Sequence, residues 1–187
     1  MRKKNGYGWF TAEYCRSTGM EKGKKIKAVL ISIQPKWCEL IASGKKTVEV
    51  RKTKPKLETP FKCYIYCTKS NGTLFKRNGN KFLGYSLQNV SGMVIGEFVC
   101  NCMTGLKADN MVQAYYNNTK DTCLTDEEIK KYANGKKLYY WHISNLVIYD
   151  KPKELSEFSK YGFDRFVPWK RPPQSWGYVE EGATDEK

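Results

Sequence analysis

Hydrophobic positions along the chain come in short runs whose period changes from one segment to the next. Residues 28–33, AVLISI, are an unbroken apolar run of strand length and predict a short buried strand. Pro35 suits a first helical turn, Trp37, Leu40 and Ile41 recur at helical spacing, and Gly44 stands at the place of a C-terminal cap, which predicts a short amphipathic helix. TVEVRK, residues 47–52, then alternates, with Val48 and Val50 on one side of an extended chain and Thr47, Glu49 and Arg51 on the other. FKCYIYCT, residues 61–68, predicts a strand with Phe61, Cys63, Ile65 and Cys67 on one face and Tyr64 and Tyr66 on the other. Residues 69–80 are rich in Gly, Asn and Lys and predict a loop, a hairpin excursion. GMVIGEFVCNCM, residues 92–103, is a long strand whose Gly96 marks a bulge or a close backbone approach. TDEEIKKYA, residues 125–133, carries Thr125 as N-cap and Glu128 as capping-box glutamate, so a second helix follows. LYYWHISNLVIYD, residues 138–150, returns to strand, PKELSEF is a helical turn, and RPPQSWGYVEE is an extended tail that rejoins the sheet.

Strands without regular strand-helix alternation, set around two short helices, predict an α+β (mainly β) fold: a small mixed-sheet β-barrel rather than a doubly wound sheet. The organisation expected is a basic N-terminal arm over residues 1–27, one domain over 28–181 and a tail over 182–187. A chain of 187 residues can bury the core of one such domain. Charge changes this picture. Lys and Arg number 33 against 19 Asp and Glu, a formal +14, which calls for a polyanionic partner. The first 27 residues contribute +6, so the remainder keeps +8 and the basic character belongs to the folded part as well. Seven cysteines without a regular framework and no secretory leader point to a reducing, cytoplasmic setting. Cys100 and Cys102 are separated by one residue, Cys63 and Cys67 by three, and the single histidine is His142, so neither a metal site nor a cofactor is expected. No apolar run is long enough to cross a bilayer. A Walker loop, GxGxxG, GxSxG and metalloprotease helix are all absent, which removes the commoner enzyme classes.

The charged side of residues 47–52 poses the functional question. Facing solvent, it belongs to an ordinary surface strand; facing a cavity, Lys46, Glu49 and Arg51 begin a site. With Val48 and Val50 packed into a barrel, Glu49 and Arg51 would leave by the opposite face, and Lys46 could join them only from the turn after Gly44. SIQPKWCELIASGKKTVEVRK, residues 32–52, resembles the signature of ASCH domains, a branch of the PUA-like superfamily, in which a strand, a proline-led helix and a G-x-K-x-x-E-x-R strand follow one another. Gly44, Lys46, Glu49 and Arg51 match that pattern position for position. YYWHISNLVIYDKPKELSEF and PPQSWGYVEE also resemble the longer ASCH proteins of bacterial and phage genomes. The resemblance implies a PUA-like barrel with a cleft beside the first helix where the motif's Lys, Glu and Arg gather. It also implies RNA binding or processing, since ASCH domains are generally regarded as such modules. Some members are amidohydrolases that remove acyl groups from modified cytidine; there the lysine is catalytic and the position of Glu49 is threonine. Glu127 or Glu128 could supply the later carboxylate of those enzymes only if the second helix leans over the cleft.

Lys46 is then either a grip on phosphate or a lysine of lowered pKa acting as base or nucleophile. Glu49 either accepts hydrogen bonds from a base edge or pairs internally with Arg51. Trp37, on the proline-led helix, is the candidate for stacking on an unpaired base. Ser175 and Trp176 close one mouth of the cleft or plug it structurally, and His142 is read as a packed histidine. The leading expectation is a non-enzymatic module that binds RNA or another single-stranded nucleic acid, or a modified or flipped nucleotide, with Trp37, Lys46, Glu49, Arg51, Ser175 and Trp176 as ligand-binding residues. The rivals are an amidohydrolase using Lys46 and Glu49 on an acylated cytidine, and a phage or host protein-interaction module.

Overall fold

The computed structural model describes residues 25–69, 81–82, 85–86, 90–106 and 120–181; the arm up to residue 24, the predicted loop from residue 70 and the tail 182–187 lie outside the described residues. The elements are Lys27–Ile33 (β1), Pro35–Ala42 (α1), Val48–Arg51 (β2), Phe61–Cys67 (β3), the two-residue strands Lys81–Phe82 (β4) and Tyr85–Ser86 (β5), Val94–Leu106 (β6), Asp126–Ala133 (α2), Leu138–Lys153 (β7), a 3-10 turn Leu155–Glu157, and Trp176–Glu180 (β8).

Six strands form one mixed sheet in the order β2, β7, β6, β3, β1, β8. β1 runs parallel to β3, and the other neighbours are antiparallel. A parallel pair needs a crossover. Here the crossover contains α1 and then β2, which leaves for the far edge of the sheet. The unbroken apolar run of β1 follows from burial on both faces. Val29, Ile31 and Ile33 pack with Cys38 and Ile41 of α1 and with Trp141, while Ala28 and Leu30 pack on the other face against Tyr64, Tyr66 and Phe158. The face assignment of β3 is as its alternation predicts, with the cysteines and Ile65 on the first side and the tyrosines on the second.

The mainly-β mixed sheet with few helices is as expected; closure is not. The ladder ends at β2 on one side and β8 on the other, so the sheet is open rather than a closed barrel. β2 is four residues long and Pro55 follows soon after, leaving no regular run of backbone donors for β8. Side chains bridge the two edges instead. Arg51 Nη1 lies 3.5 Å from Ser175 Oγ, Trp176 Nε1 donates to Thr53 Oγ1 at 3.0 Å, and the Lys56 N–H donates to the Tyr178 hydroxyl at 2.7 Å. Curvature comes from register shifts along β6 and β7, between Val94/Gly96, Glu97/Val99 and Cys100/Cys102. Gly96 fulfils both predicted meanings, since it sits at a shift and a Cβ there would collide with the Val147 carbonyl.

Helix α2 has the predicted capping box: Thr125 Oγ1 accepts from the Glu128 N–H at 3.2 Å and Glu128 Oε2 accepts from the Thr125 N–H at 2.8 Å. Its buried Ile129 and Ala133, four residues apart, cover Val48, Val50, Leu138 and Tyr140. Among the described residues no helix is long and apolar enough to cross a membrane.

Candidate functional site

The site begins at the end of α1. Gly44 adopts φ +72°, the Lys45 N–H returns to the Leu40 carbonyl at 2.9 Å and the Gly44 N–H to that of Ile41 at 2.9 Å, a Schellman termination that turns the chain sharply. The Lys46 N–H shares the Leu40 carbonyl at 2.9 Å, so the lysine backbone is fixed to the helix end and its side chain turns inward. Lys46 thus joins from the turn after Gly44, outside strict alternation.

Strand β2 resolves which way the charges point. Glu49 pairs in register with Trp141 and Arg51 with Tyr139, and side chains of an antiparallel pair share a face. Trp141 is fully buried in the main core inside the curled sheet, so Glu49 and Arg51 face inward. Of the two cases open from the alternation, the one with Val48 and Val50 packed into the barrel is not found: they lie on the other face and are covered by α2. Period-2 alternation separates two faces but does not say which layer covers each.

The three charges form one buried network. Lys46 Nζ lies 3.4 Å from Glu49 Oε2 and Arg51 Nη2 lies 3.1 Å from Glu49 Oε1, with side-chain exposures of 2, 8 and 11% for Lys46, Glu49 and Arg51. Buried ions need further hydrogen bonds to offset lost hydration. Lys46 Nζ donates to the Thr122 carbonyl at 2.7 Å, and Arg51 Nη2 donates to the Ser32 carbonyl at 2.7 Å. The Lys46 ammonium also lies 5.1 Å from the Trp37 ring centroid, within cation–π range. Burial lowers the Lys46 pKa from the ordinary lysine value, and the neighbouring Glu49 carboxylate opposes that shift. Two cations against one carboxylate leave the network positive, and Arg51 Nε is buried without a hydrogen-bond partner.

These residues line a cleft of about 520 Å³. Trp37, Lys46, Glu49 and Arg51 all border it, together with Ser32 of β1 and Gln34, the N-cap of α1. Ser175 does not line it but touches Arg51 from behind, and Trp176 packs against Trp141 and Tyr178 at ring distances of 6.3 and 5.4 Å. Helix α2 does lean over the cleft, bringing Glu128 but not Glu127 to its wall, with one Glu128 oxygen committed to the helix cap. Lys52, Lys131 and Tyr132, which the sequence did not point to, also line it, and Ile33, Val50 and Leu124 complete the wall. The available signal was the position of Glu128, Lys131 and Tyr132 flanking the Ile129/Ala133 stripe; it marks the border of a buried face without saying what lies across it. His142 stands opposite Val48 on the α2 side of the sheet, away from the cleft. Among the described residues no group of three or more His, Cys, Asp or Glu gathers as a metal site.

A cleft of this size suits a small ligand. It offers two aromatic side chains, a buried carboxylate between two cations, and lysines at its border. Compared with known proteins, residues 31–148 match the family model of the ASCH domain. The crystal structure of an ASCH protein from Zymomonas mobilis superposes with a TM-score of 0.57 at 20% identity, covering 83% of this chain and 90% of that one. A mutant of the same protein gives 0.58 at 19% identity, covering 83% and 92%. At such identities the likeness is one of fold. No curated protein matches the chain by sequence.

Proposed function

The chain belongs to the ASCH domain family, and from that premise we propose that it is a nucleic-acid-binding module whose cleft takes one unpaired, modified or flipped base of a single-stranded RNA. The buried Lys46–Glu49–Arg51 network at the border of a cleft that also presents Trp37 carries this reading. Each Glu49 oxygen has one cationic neighbour and lone pairs to spare, so the carboxylate can accept from an exocyclic amino group such as that of cytosine. Trp37, whose ring also has the Lys36 and Lys46 ammonium groups 4.3 and 5.1 Å from its centroid, is the aromatic a base would stack on by displacing the Lys36 side chain, and Lys52 and Lys131 at the wall supply phosphate contacts. Salt-sensitive binding of a panel of short single-stranded RNAs, lost in Trp37→Ala, is the expected result. A panel that shows no binding at low salt would remove the proposal.

Burial of Lys46 gives the amidohydrolase reading its one supporting observation, because a lowered pKa favours a neutral, nucleophilic amine. The hydrogen bonding argues the other way. An ammonium has three donors, and Lys46 has the Thr122 carbonyl and Glu49 as partners, with the Trp37 ring centroid 5.1 Å away. Glu49 also holds the proton on Lys46, which threonine in the related enzymes would not. Release of carboxylic acid from an acylated cytidine, abolished in Lys46→Ala, would establish the enzymatic reading instead.

A further inference from the structure

A second concavity, of about 470 Å³, opens beside the first, bordered by Lys54, Leu57, Glu58, Gly105, Lys137 and Tyr139 among others. Arg51 joins the two. It lines the first cleft, and its cross-strand partner on β7 is Tyr139, which lines the second. Lys54 follows Lys52 by two residues, so one extended segment carries a lysine from each concavity. From another part of the chain, Lys137 converges on the same ring: the ammonium groups of Lys54 and Lys137 lie 5.9 and 5.5 Å from the Tyr139 centroid. Gly105 makes room for this arrangement. A Cβ there would stand 2.5 Å from Lys137 Cε and 3.1 Å from Tyr139 Cε1, so a side chain at this position would displace the flexible end of Lys137 from its present place. Neither lysine has a carboxylate within ion-pair distance among the described residues.

We infer that this second concavity holds the neighbouring nucleotide of the same RNA strand, its phosphate between Lys54 and Lys137 and its ribose against Tyr139. The inference rests on the base-binding reading of the first cleft and extends it from a single nucleotide to a strand path. Two ammonium groups near one ring, neither ion-paired to a carboxylate, provide a cationic site for a phosphate beside an apolar surface. Glu58 at the border opposes phosphate but accepts hydrogen bonds from sugar hydroxyls, which favours ribose over deoxyribose.

The test compares each nucleoside 5′-monophosphate with a short single-stranded RNA of mixed sequence, using the full chain and the double variant Lys54→Glu/Lys137→Glu. Both lysines are exposed, so the variant folds. Mononucleotide affinity should be unchanged. The RNA should bind the variant more weakly by on the order of tenfold or more, and its log–log salt slope should shrink by roughly 0.7 for the phosphate lost. RNA affinity and slope that are the same in both proteins, with binding still lost in Trp37→Ala, would overturn the second subsite and leave the first intact. Equal weakening of mononucleotide and RNA would overturn it too, because the lysines would then act on the first cleft. A wild-type chain that binds neither probe would remove both readings together.

Discussion

Lys46 is a residue whose placement costs the fold something. Its lowered pKa means that the folded protein disfavours the ammonium relative to water. Replacing it with the apolar Lys46→Met leaves Glu49 paired with Arg51, so thermal stability should be kept or raised while RNA affinity falls by about 1–3 kcal/mol. Parallel melting and binding measurements check this; a steep drop in stability would make Lys46 a structural residue. The same shift sets a pH dependence. A lysine whose folded pKa is depressed loses its charge below the ordinary value of about 10.4, so binding should weaken as pH rises toward that value, before exposed lysines titrate. The stability linkage has the opposite sign, being present above the unfolded pKa and lost as pH falls through the folded one. Binding titrations between neutral and alkaline pH should show the early loss in the wild type and its absence in Lys46→Arg, whose charge persists. Glu49→Thr removes the central carboxylate and should change which base is preferred, read from competition among nucleotides.

At the scale of elements, α2 has two roles that share one residue. Glu128 closes the capping box and also borders the cleft. Thr125→Ala should therefore cost about 1 kcal/mol, a fall in melting temperature of roughly 2–4 °C for a chain of this size, and should weaken RNA binding less than Trp37→Ala does. An unchanged melting temperature would mean that burial of Ile129 and Ala133 alone holds the helix. The long β6–β7 pair depends on Gly96 for its bend. Gly96→Ala drives a methyl group into the Val147 carbonyl and should destabilise by roughly 1–3 kcal/mol, measurable by denaturant titration with the slope unchanged.

For the molecule as a whole, the question is where the charge acts. Deleting residues 1–24 leaves a net +10, so RNA binding should weaken without disappearing and its salt slope should fall only in part. Complete loss on truncation would assign binding to the arm instead of the cleft. The cysteines described are free, four of them buried in the core; burial pushes the Cys100 thiol up to about 12 and Cys38 and Cys63 well above the usual range. Protonated thiols are poor metal ligands, so metal analysis of protein purified without chelator should find well under one zinc per chain.

Local signals in the sequence determined most of the elements. Capping chemistry placed α2, a proline and a glycine bounded α1, apolar continuity marked β1, and the G-x-K-x-x-E-x-R spacing picked out Lys46, Glu49 and Arg51. Such signals are legible because capping, turn geometry and side-chain alternation act within a few residues of chain. Tertiary structure alone decided which face of β2 looks inward, whether the sheet edges join, and which residues of α2 meet the cleft. Those outcomes depend on contacts between segments far apart in sequence: Val48 and Val50 lie outward because α2, more than seventy residues on, covers them, and Arg51 faces the interior because β7 places Trp141 and Tyr139 there. A two-residue period is the same for either face, so only the layer that packs against it chooses the inside.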